Sequence, residues 1–180
     1  INDMDFTWQL AAGEVFETPE VMIAYSSDGI GGMSRELHDA MRNHIINERF
    51  VKASRPLLIN NWEATYFDFN YEKLVSLAET AGKLGIELLV MDDGWFGKRE
   101  DDRTSLGDWV VNTEKLPGGL ERLAKGVNEK GVKFGIWMEP EMISEDSDLY
   151  RAHPDWAIAV PGREKSIGRN QYVLDIVRDE

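Results

Sequence analysis

The chain has no cysteine in its 180 residues. That absence excludes disulfides, thiolate metal sites and a cysteine nucleophile, and it fits a reducing, cytoplasmic setting. Positive charge is scarce. Lys and Arg total 20 against 33 Asp and Glu, a formal net charge of −13. Nucleic acid needs a basic surface for its phosphates and an anionic membrane attracts basic segments, so neither is expected as a partner. No apolar run approaches the roughly 20 residues that span a bilayer. The chain opens on Ile1-Asn2-Asp3, with neither a signal peptide nor an initiator methionine, and closes on Arg178-Asp179-Glu180. A piece of a longer protein is the expectation. Histidine is rare too: His38 and His44 do not share a helix face at metal-ligand spacing, and His153 stands alone before Pro154. They read as surface or packing residues.

What the chain does have is a strand with an unusual tip. Ile86, Leu88, Leu89, Val90 and Met91 form a nearly continuous apolar run, the pattern of a strand buried on both faces. It ends in Asp92-Asp93-Gly94-Trp95-Phe96. Carboxylates at the C-terminal tip of a buried parallel strand are a common way for α/β enzymes to build a ligand site.

Around that strand the chain alternates. Phe6, Trp8 and Leu10 have the period of two of a half-buried strand, Val21 to Tyr25 forms a second apolar run, and Ser26 to Gly32 is a glycine-rich link. That link lacks the third glycine of a dinucleotide fingerprint, where Ser34 stands instead. Ser34 to Arg49 reads as a helix with Leu37, Met41 and Ile45 on one face and Ser34 as its N-cap. From Arg55 onward the texture is βαβαβα. Leu57 to Ile59 is a strand, and Asn70 caps a helix through Leu74, Ala78 and Ala81 that ends at Gly85. The central strand follows, then a long polar connection from Gly97 to Pro117. A helix through Leu120, Leu123 and Val127 ends at Gly131, a strand runs from Val132 to Met138, and a helix lies between Ser144 and His153. Such a series predicts parallel strands. Long loops after each strand, rich in polar and aromatic residues, favour the start of a (β/α)8 barrel over an open doubly wound sheet. The expected fold is therefore α/β, about the first three βα units of a TIM barrel, preceded by short strands and a linking helix.

The strand tips gather Asn60, Asn61, Trp62 and Glu63, then Asp92, Asp93 and Trp95, then Trp137, Glu139 and Glu141. Carboxylates with tryptophans suit a sugar: vicinal hydroxyls donate to the carboxylates, and the C–H face of a pyranose stacks on indole. Glycoside hydrolysis needs a pair of carboxyl groups as well. A hard cation such as Mg²⁺ is the weaker alternative, because no phosphate-binding motif accompanies the acids. Trp8 and Trp156 read as packing residues and Glu100 to Asp102 as a solvated loop. The roles of Glu139 and Glu141 stay open, since Pro140 between them ends the strand.

These tips carry a resemblance. Asn60-Asn61-Trp62-Glu63-Ala64-Thr65-Tyr66, Met91 to Phe96, Gly135-Ile136-Trp137-Met138-Glu139-Pro140-Glu141-Met142 and Gly168-Arg169-Asn170-Gln171-Tyr172-Val173-Leu174-Asp175 follow one another at the spacing of glycoside hydrolase family 36 α-galactosidases. The match covers most of residues 50 to 176, and the first segment resembles the last strands of that family's β-sandwich domain. The resemblance implies residues 1–50 as the end of that domain with its linker helix, and 51–180 as the N-terminal part of a catalytic barrel. It implies retaining hydrolysis of terminal α-linked galactose from melibiose- and raffinose-type sugars, without cofactor or metal, by a parent expected to be a homo-oligomer. Residue by residue, Asp92 and Asp93 match the pair that grips galactosyl hydroxyls. Trp137 and Arg169 match further sugar contacts, and Trp62 matches an aromatic at the mouth. The family's nucleophile lies in a Lys-Trp-Asp motif and its acid/base is an aspartate further on. Neither motif occurs here, Asp175 lacks the flanking Lys-Trp, and both catalytic groups are expected downstream of Glu180. The fragment itself is expected to be inactive. A raffinose-forming galactosyltransferase and a non-catalytic carbohydrate-binding module are the alternatives.

Overall fold

Leu88–Met91 (β2) is the middle strand of a three-stranded parallel sheet in the computed structural model, which describes residues 7–178. Leu58–Asn60 (β1) pairs with it on one side, Leu58 opposite Leu88 and Asn60 opposite Val90. On the other side Lys133–Ile136 (β3) aligns Leu88 with Lys133 and Met91 with Ile136. Parallel neighbours need a crossover, and helices supply it. Between β1 and β2 lie Trp62–Thr65 (α3) and Tyr71–Lys83 (α4), and between β2 and β3 lies Gly119–Asn128 (α5).

Local chemistry accounts for these boundaries. Asn70 is extended, and its Oδ1 accepts the Lys73 amide at 2.9 Å, the N-cap bond expected of it. Gly85 and Gly131 follow α4 and α5 with φ of +80° and +79°, a left-handed exit that a side chain would disfavour. Leu74 and Ala78 of α4, with Leu123 and Val127 of α5, share a buried core with Leu89 and Met91 of β2 and with Val132 just before β3, and Ala81 of α4 is buried too. β2 differs from the run expected to be buried on both faces. Leu89 and Met91 are fully buried, whereas Leu88 and Val90, pointing to the other face, are only half-buried. Leu58 of β1 is exposed, as are Leu57 just before it and Met138 two residues beyond β3.

A second sheet was not foreseen. Met142–Ile143 (β4), Ile167–Gly168 (β5) and Gln171–Val173 (β6) form an antiparallel sheet in the order β4-β6-β5. Between β4 and β5, the helix expected from Ser144 to His153 is shorter, Asp148–Ala152 (α6). Ser147 is its cap, accepting the Tyr150 amide and donating to the Ser144 carbonyl, and Pro154 starts a 3-10 turn through Trp156. Trp156 stacks on His153 with centroids 4.0 Å apart.

Ile1–Ser54 and Arg55–Glu180 are separate compact units. In the first unit the expected strands do not form among the described residues. Phe6 lies outside them, and Thr7 to Leu10 and Val21 to Tyr25 are irregular. Alternation sets only which face a strand would bury; the ladder needs a partner strand, and none is present among the described residues. Trp8 packs on Phe16 at 4.9 Å while remaining largely exposed. The linking helix is also displaced. It begins inside the glycine-rich link as Gly29–Ala40 (α1), so Ser34 lies within it and Asp28 holds the N-cap position. It continues as a π-turn to Ile45, breaks at Ile46, and restarts as Glu48–Val51 (α2) under an Asn47 cap. No helix of the described residues is long and apolar enough to cross a membrane.

Candidate functional site

Three of the five candidates sit at the C-terminal end of the parallel sheet. Asp92 and Asp93 follow β2, and Trp137 follows β3, its amide donating to the Met91 carbonyl at 2.8 Å. Asp92 is half-buried and braced from β1. Asn60 Nδ2 donates to its Oδ2 at 2.5 Å, and Asn61 Oδ1 accepts its backbone amide at 2.7 Å. Asn61 is fully buried, and its Nδ2 is fixed in turn by Thr65 Oγ1 at 2.8 Å. The Asp93 amide donates to Asp92 Oδ1 at 2.8 Å, so the two acids are linked through the backbone.

Asp93 is only 3% exposed, and its carboxylate meets a guanidinium. Arg99, at 0% exposure, donates from Nε to both carboxylate oxygens at 2.9 and 3.1 Å and from Nη2 to Oδ2 at 2.8 Å. A buried carboxylate is expensive unless paired, and side-on guanidinium contact is among the strongest pairings available. Lys115 reaches the same turn. Its Nζ donates to the carbonyls of Phe67, Gly94 and Arg99, and it pairs with Glu100 at 3.1 Å. Neither Arg99 nor Lys115 was a candidate from the sequence. Both lie in the polar connection Gly97 to Pro117, where one buried cation reads like its solvated neighbours. Glu100 and Asp101 are indeed exposed, but Asp102 is not wholly solvated: its Oδ2 accepts from Asn170 and its carbonyl from Gln171.

Trp62 begins α3, its amide bonded to Asn60 Oδ1 at 2.7 Å, which ties it to the bracing of Asp92. Its ring packs edge-on against Tyr66 and Phe67, with centroids 5.1 and 5.0 Å away. Trp137 is half-buried, 6.5 Å from the Trp109 ring, and its carbonyl accepts from Trp95 Nε1 at 3.0 Å.

Arg169 comes from elsewhere. It occupies the two-residue turn between β5 and β6, where Arg169 and Asn170 have φ of +52° and +65°, the turn type that matches antiparallel strand twist. Its side chain is 69% exposed and approaches Glu139 Oε1 to 3.8 Å. Glu139 places Arg169 in the site's electrostatics: its side chain is 16% exposed and Oε2 is buried without a hydrogen-bond partner. Burial raises the Glu139 pKa most, Arg169 opposes the rise, and the charges of Glu141 and Asp93 add to it. The structure thus joins Trp62 to Asp92 through Asn60, and Arg169 to the sheet end through Glu139. A neighbouring concavity is lined by Arg103, Glu145, Asn170 and Tyr172, and none of the five candidates lines it. Among the described residues no cluster of His, Asp or Glu is placed to hold a metal ion. Chemically, the sheet end offers fixed anionic acceptors, indole faces and one exposed arginine, a set suited to a polyhydroxylated ligand.

The sequence profile of the melibiase family matches residues 15–180. Alpha-galactosidase AgaA of Geobacillus stearothermophilus is 59% identical over 180 residues, which is 100% of this chain and 25% of the relative. The bifunctional alpha-galactosidase/sucrose kinase AgaSK of Mediterraneibacter gnavus is 54% identical over 100% of this chain and 19% of its own length. The crystal structure of the GH36 alpha-galactosidase AgaB from Geobacillus stearothermophilus superposes with a TM-score of 0.81 at 61% identity, covering 86% of this chain and 21% of that one. A variant of AgaA crystallised with stachyose gives 0.80 at 59% identity, over 86% and 22%. The chain spans about a fifth to a quarter of the length of these curated relatives.

Proposed function

Because this chain belongs to the melibiase family, glycoside hydrolase family 36, we propose that its complete polypeptide is a retaining α-galactosidase and that this stretch carries part of the galactose subsite. Its substrates are then terminal α-galactosides of the raffinose and stachyose type, the latter being the sugar crystallised with the AgaA variant. The observation that carries the reading is the braced pair Asp92 and Asp93 at the C-terminal end of the central parallel strand. That is where an α/β enzyme binds its ligand.

In this reading the pair accepts hydrogen bonds from galactosyl hydroxyls, Arg169 donates to sugar oxygens, and Trp137 and Trp62 offer apolar faces to the ring and the mouth. β1, β2 and β3 are the opening strands of a (β/α)8 barrel within residues 51–180, and residues 1–50 close a preceding β-domain. The exposed Leu57, Leu58 and Met138 support further strands covering the edges of the sheet. The parent is cytoplasmic and homo-oligomeric. The nucleophile and the acid/base are supplied from outside these 180 residues, so the chain binds part of the sugar and cuts nothing by itself.

A chromogenic α-galactoside tests both halves. The complete polypeptide is expected to release the chromophore and the 180-residue chain is not. In the complete polypeptide, Asp92→Ala removes charge-assisted hydrogen bonds worth about 1.5–3 kcal/mol each, so kcat/KM should fall at least about tenfold. Hydrolysis by the isolated chain, or unchanged kinetics in a folded Asp92→Ala enzyme, would overturn the assignment.

A further inference from the structure

A carboxylate that is to accept from one particular sugar hydroxyl must be held in a single orientation, and among the described residues no asparagine braces Asp93 as Asn60 and Asn61 brace Asp92. Among the described residues its carboxylate pairs with Arg99 alone. A carboxylate has about four acceptor positions. Arg99 approaches side-on through Nε and Nη2, occupying one flank of the group and leaving the remaining lone pairs directed away from the guanidinium. The arginine is itself immobilised. Nη1 donates to the Thr104 carbonyl at 2.9 Å and to Ser144 Oγ at 3.5 Å, and the Phe67 and Phe96 rings each lie 5.9 Å from its guanidinium carbon. Its carbonyl accepts from Lys115 at 3.4 Å, and Lys115 also clamps Gly94, one residue beyond Asp93. The guanidinium is thus held by Asp93 on one edge and by Thr104 and Ser144 at Nη1.

We propose that Arg99 is a positioning residue: its side-on contact orients the Asp93 carboxylate and sets which of its lone pairs a galactosyl hydroxyl meets. The inference rests on the galactose-subsite reading and adds a specificity determinant that does not itself touch the sugar. It also gives the connection Gly97 to Pro117 a task. The loop delivers a buried cation to the Asp93 carboxylate.

Charge and geometry separate in the variant Arg99→Lys, which keeps the cation and loses the fork. The complete polypeptide is titrated with galactose by calorimetry as wild type, Arg99→Lys, Asp93→Asn, Asp92→Asn and the two doubles that combine Arg99→Lys with each aspartate variant. Orientation through Asp93 predicts that Arg99→Lys weakens galactose about tenfold or more. It predicts that Asp93→Asn with Arg99→Lys is no weaker than Asp93→Asn alone, while the losses of Asp92→Asn and Arg99→Lys multiply. A merely structural arginine would give multiplying losses with both aspartates, and that result overturns the proposal. Unchanged affinity in Arg99→Lys, with affinity lost in Asp93→Asn, overturns the proposal and leaves the subsite reading standing. Unchanged affinity in a folded Asp93→Asn removes the subsite reading and the proposal with it. Should Arg99→Lys fold poorly, Arg99→Ala titrated in the presence of millimolar guanidinium provides the second arm. Recovery of galactose binding with added guanidinium supports orientation by the fork, and no recovery in a folded variant overturns it.

Discussion

Replacing Asn61 by alanine isolates the bracing of Asp92 from everything else in the site. Asn61 is fully buried, and its Oδ1 is the acceptor for the Asp92 backbone amide at 2.7 Å. Removing it leaves that amide buried without an acceptor, a loss of about 1–3 kcal/mol. The other end of the side chain matters less. Thr65 Oγ1 loses the Nδ2 donor but keeps the Asn61 and Tyr66 carbonyls as acceptors for its own hydroxyl, at 3.2 and 3.3 Å. A local cost of about 2 kcal/mol corresponds to roughly 30-fold in an opening equilibrium, tenfold being 1.4 kcal/mol. Native-state hydrogen exchange reads this residue by residue, without requiring the whole polypeptide to unfold in one step. The Asp92 amide should exchange roughly 30-fold faster in Asn61→Ala. The Trp137 amide, bonded across the sheet to the Met91 carbonyl, should change by less than about threefold. Galactose affinity should fall in step with the loosening of Asp92. An Asp92 amide as slow as in the wild type would refute the bracing, and equal acceleration at Asp92 and Trp137 would mean that Asn61 supports the sheet as a whole.

Gly82→Ala should destabilise the Arg55–Glu180 unit by about 1–3 kcal/mol despite the better helix propensity of alanine, because a Cβ there would lie 2.7 Å from the backbone carbonyl of Lys130; a raised thermal midpoint would contradict this. Glu139 gives a pH signature. Its pKa is raised by burial, so the native state holds that proton more tightly than the unfolded chain, and stability is lost as pH rises from the ordinary 4.5 through the folded value. Glu139→Gln should therefore match the wild type below that window and exceed it above, as read from thermal midpoints against pH; the opposite ordering above the window would show that the Arg169 pairing outweighs burial.

Much of the second unit was legible because its signals are local. Asn70, Gly85 and Gly131 each act through the backbone of one turn, and the apolar spacing of α4 and α5 is set by the faces they bury. The β4-β6-β5 sheet was not legible. Its strands are two or three residues long, below any measurable alternation, and its turn uses Arg169 and Asn170 where Asn-Gly would have announced a hairpin. Arg99 was hidden for another reason. Burial of a charge depends on a partner distant in the fold, and within Lys98-Arg99-Glu100-Asp101-Asp102 nothing marks the one side chain that turns inward. The strands expected near the N-terminus failed in the opposite way: the pattern was present, and among the described residues no partner strand was.

Adjacent aspartates also raise a geometric problem. Successive side chains on a strand point to opposite faces, so Asp92 and Asp93 could not both serve one ligand if β2 continued through them. The strand ends at Met91, and Asn61 takes over the Asp92 amide that a ladder would otherwise have used. Gly94 then turns the chain at φ +103°, a conformation that favours glycine, and a Cβ there would lie 2.9 Å from the Phe67 ring. Each acid leaves the pleat with its own brace: Asn60 from the neighbouring strand for Asp92, and Arg99 from the loop for Asp93. The pair therefore depends on the end of the pleat rather than on the pleat itself. This is why an apolar run stopped by Asp-Asp-Gly is informative where Asp-Asp within a longer strand would not be.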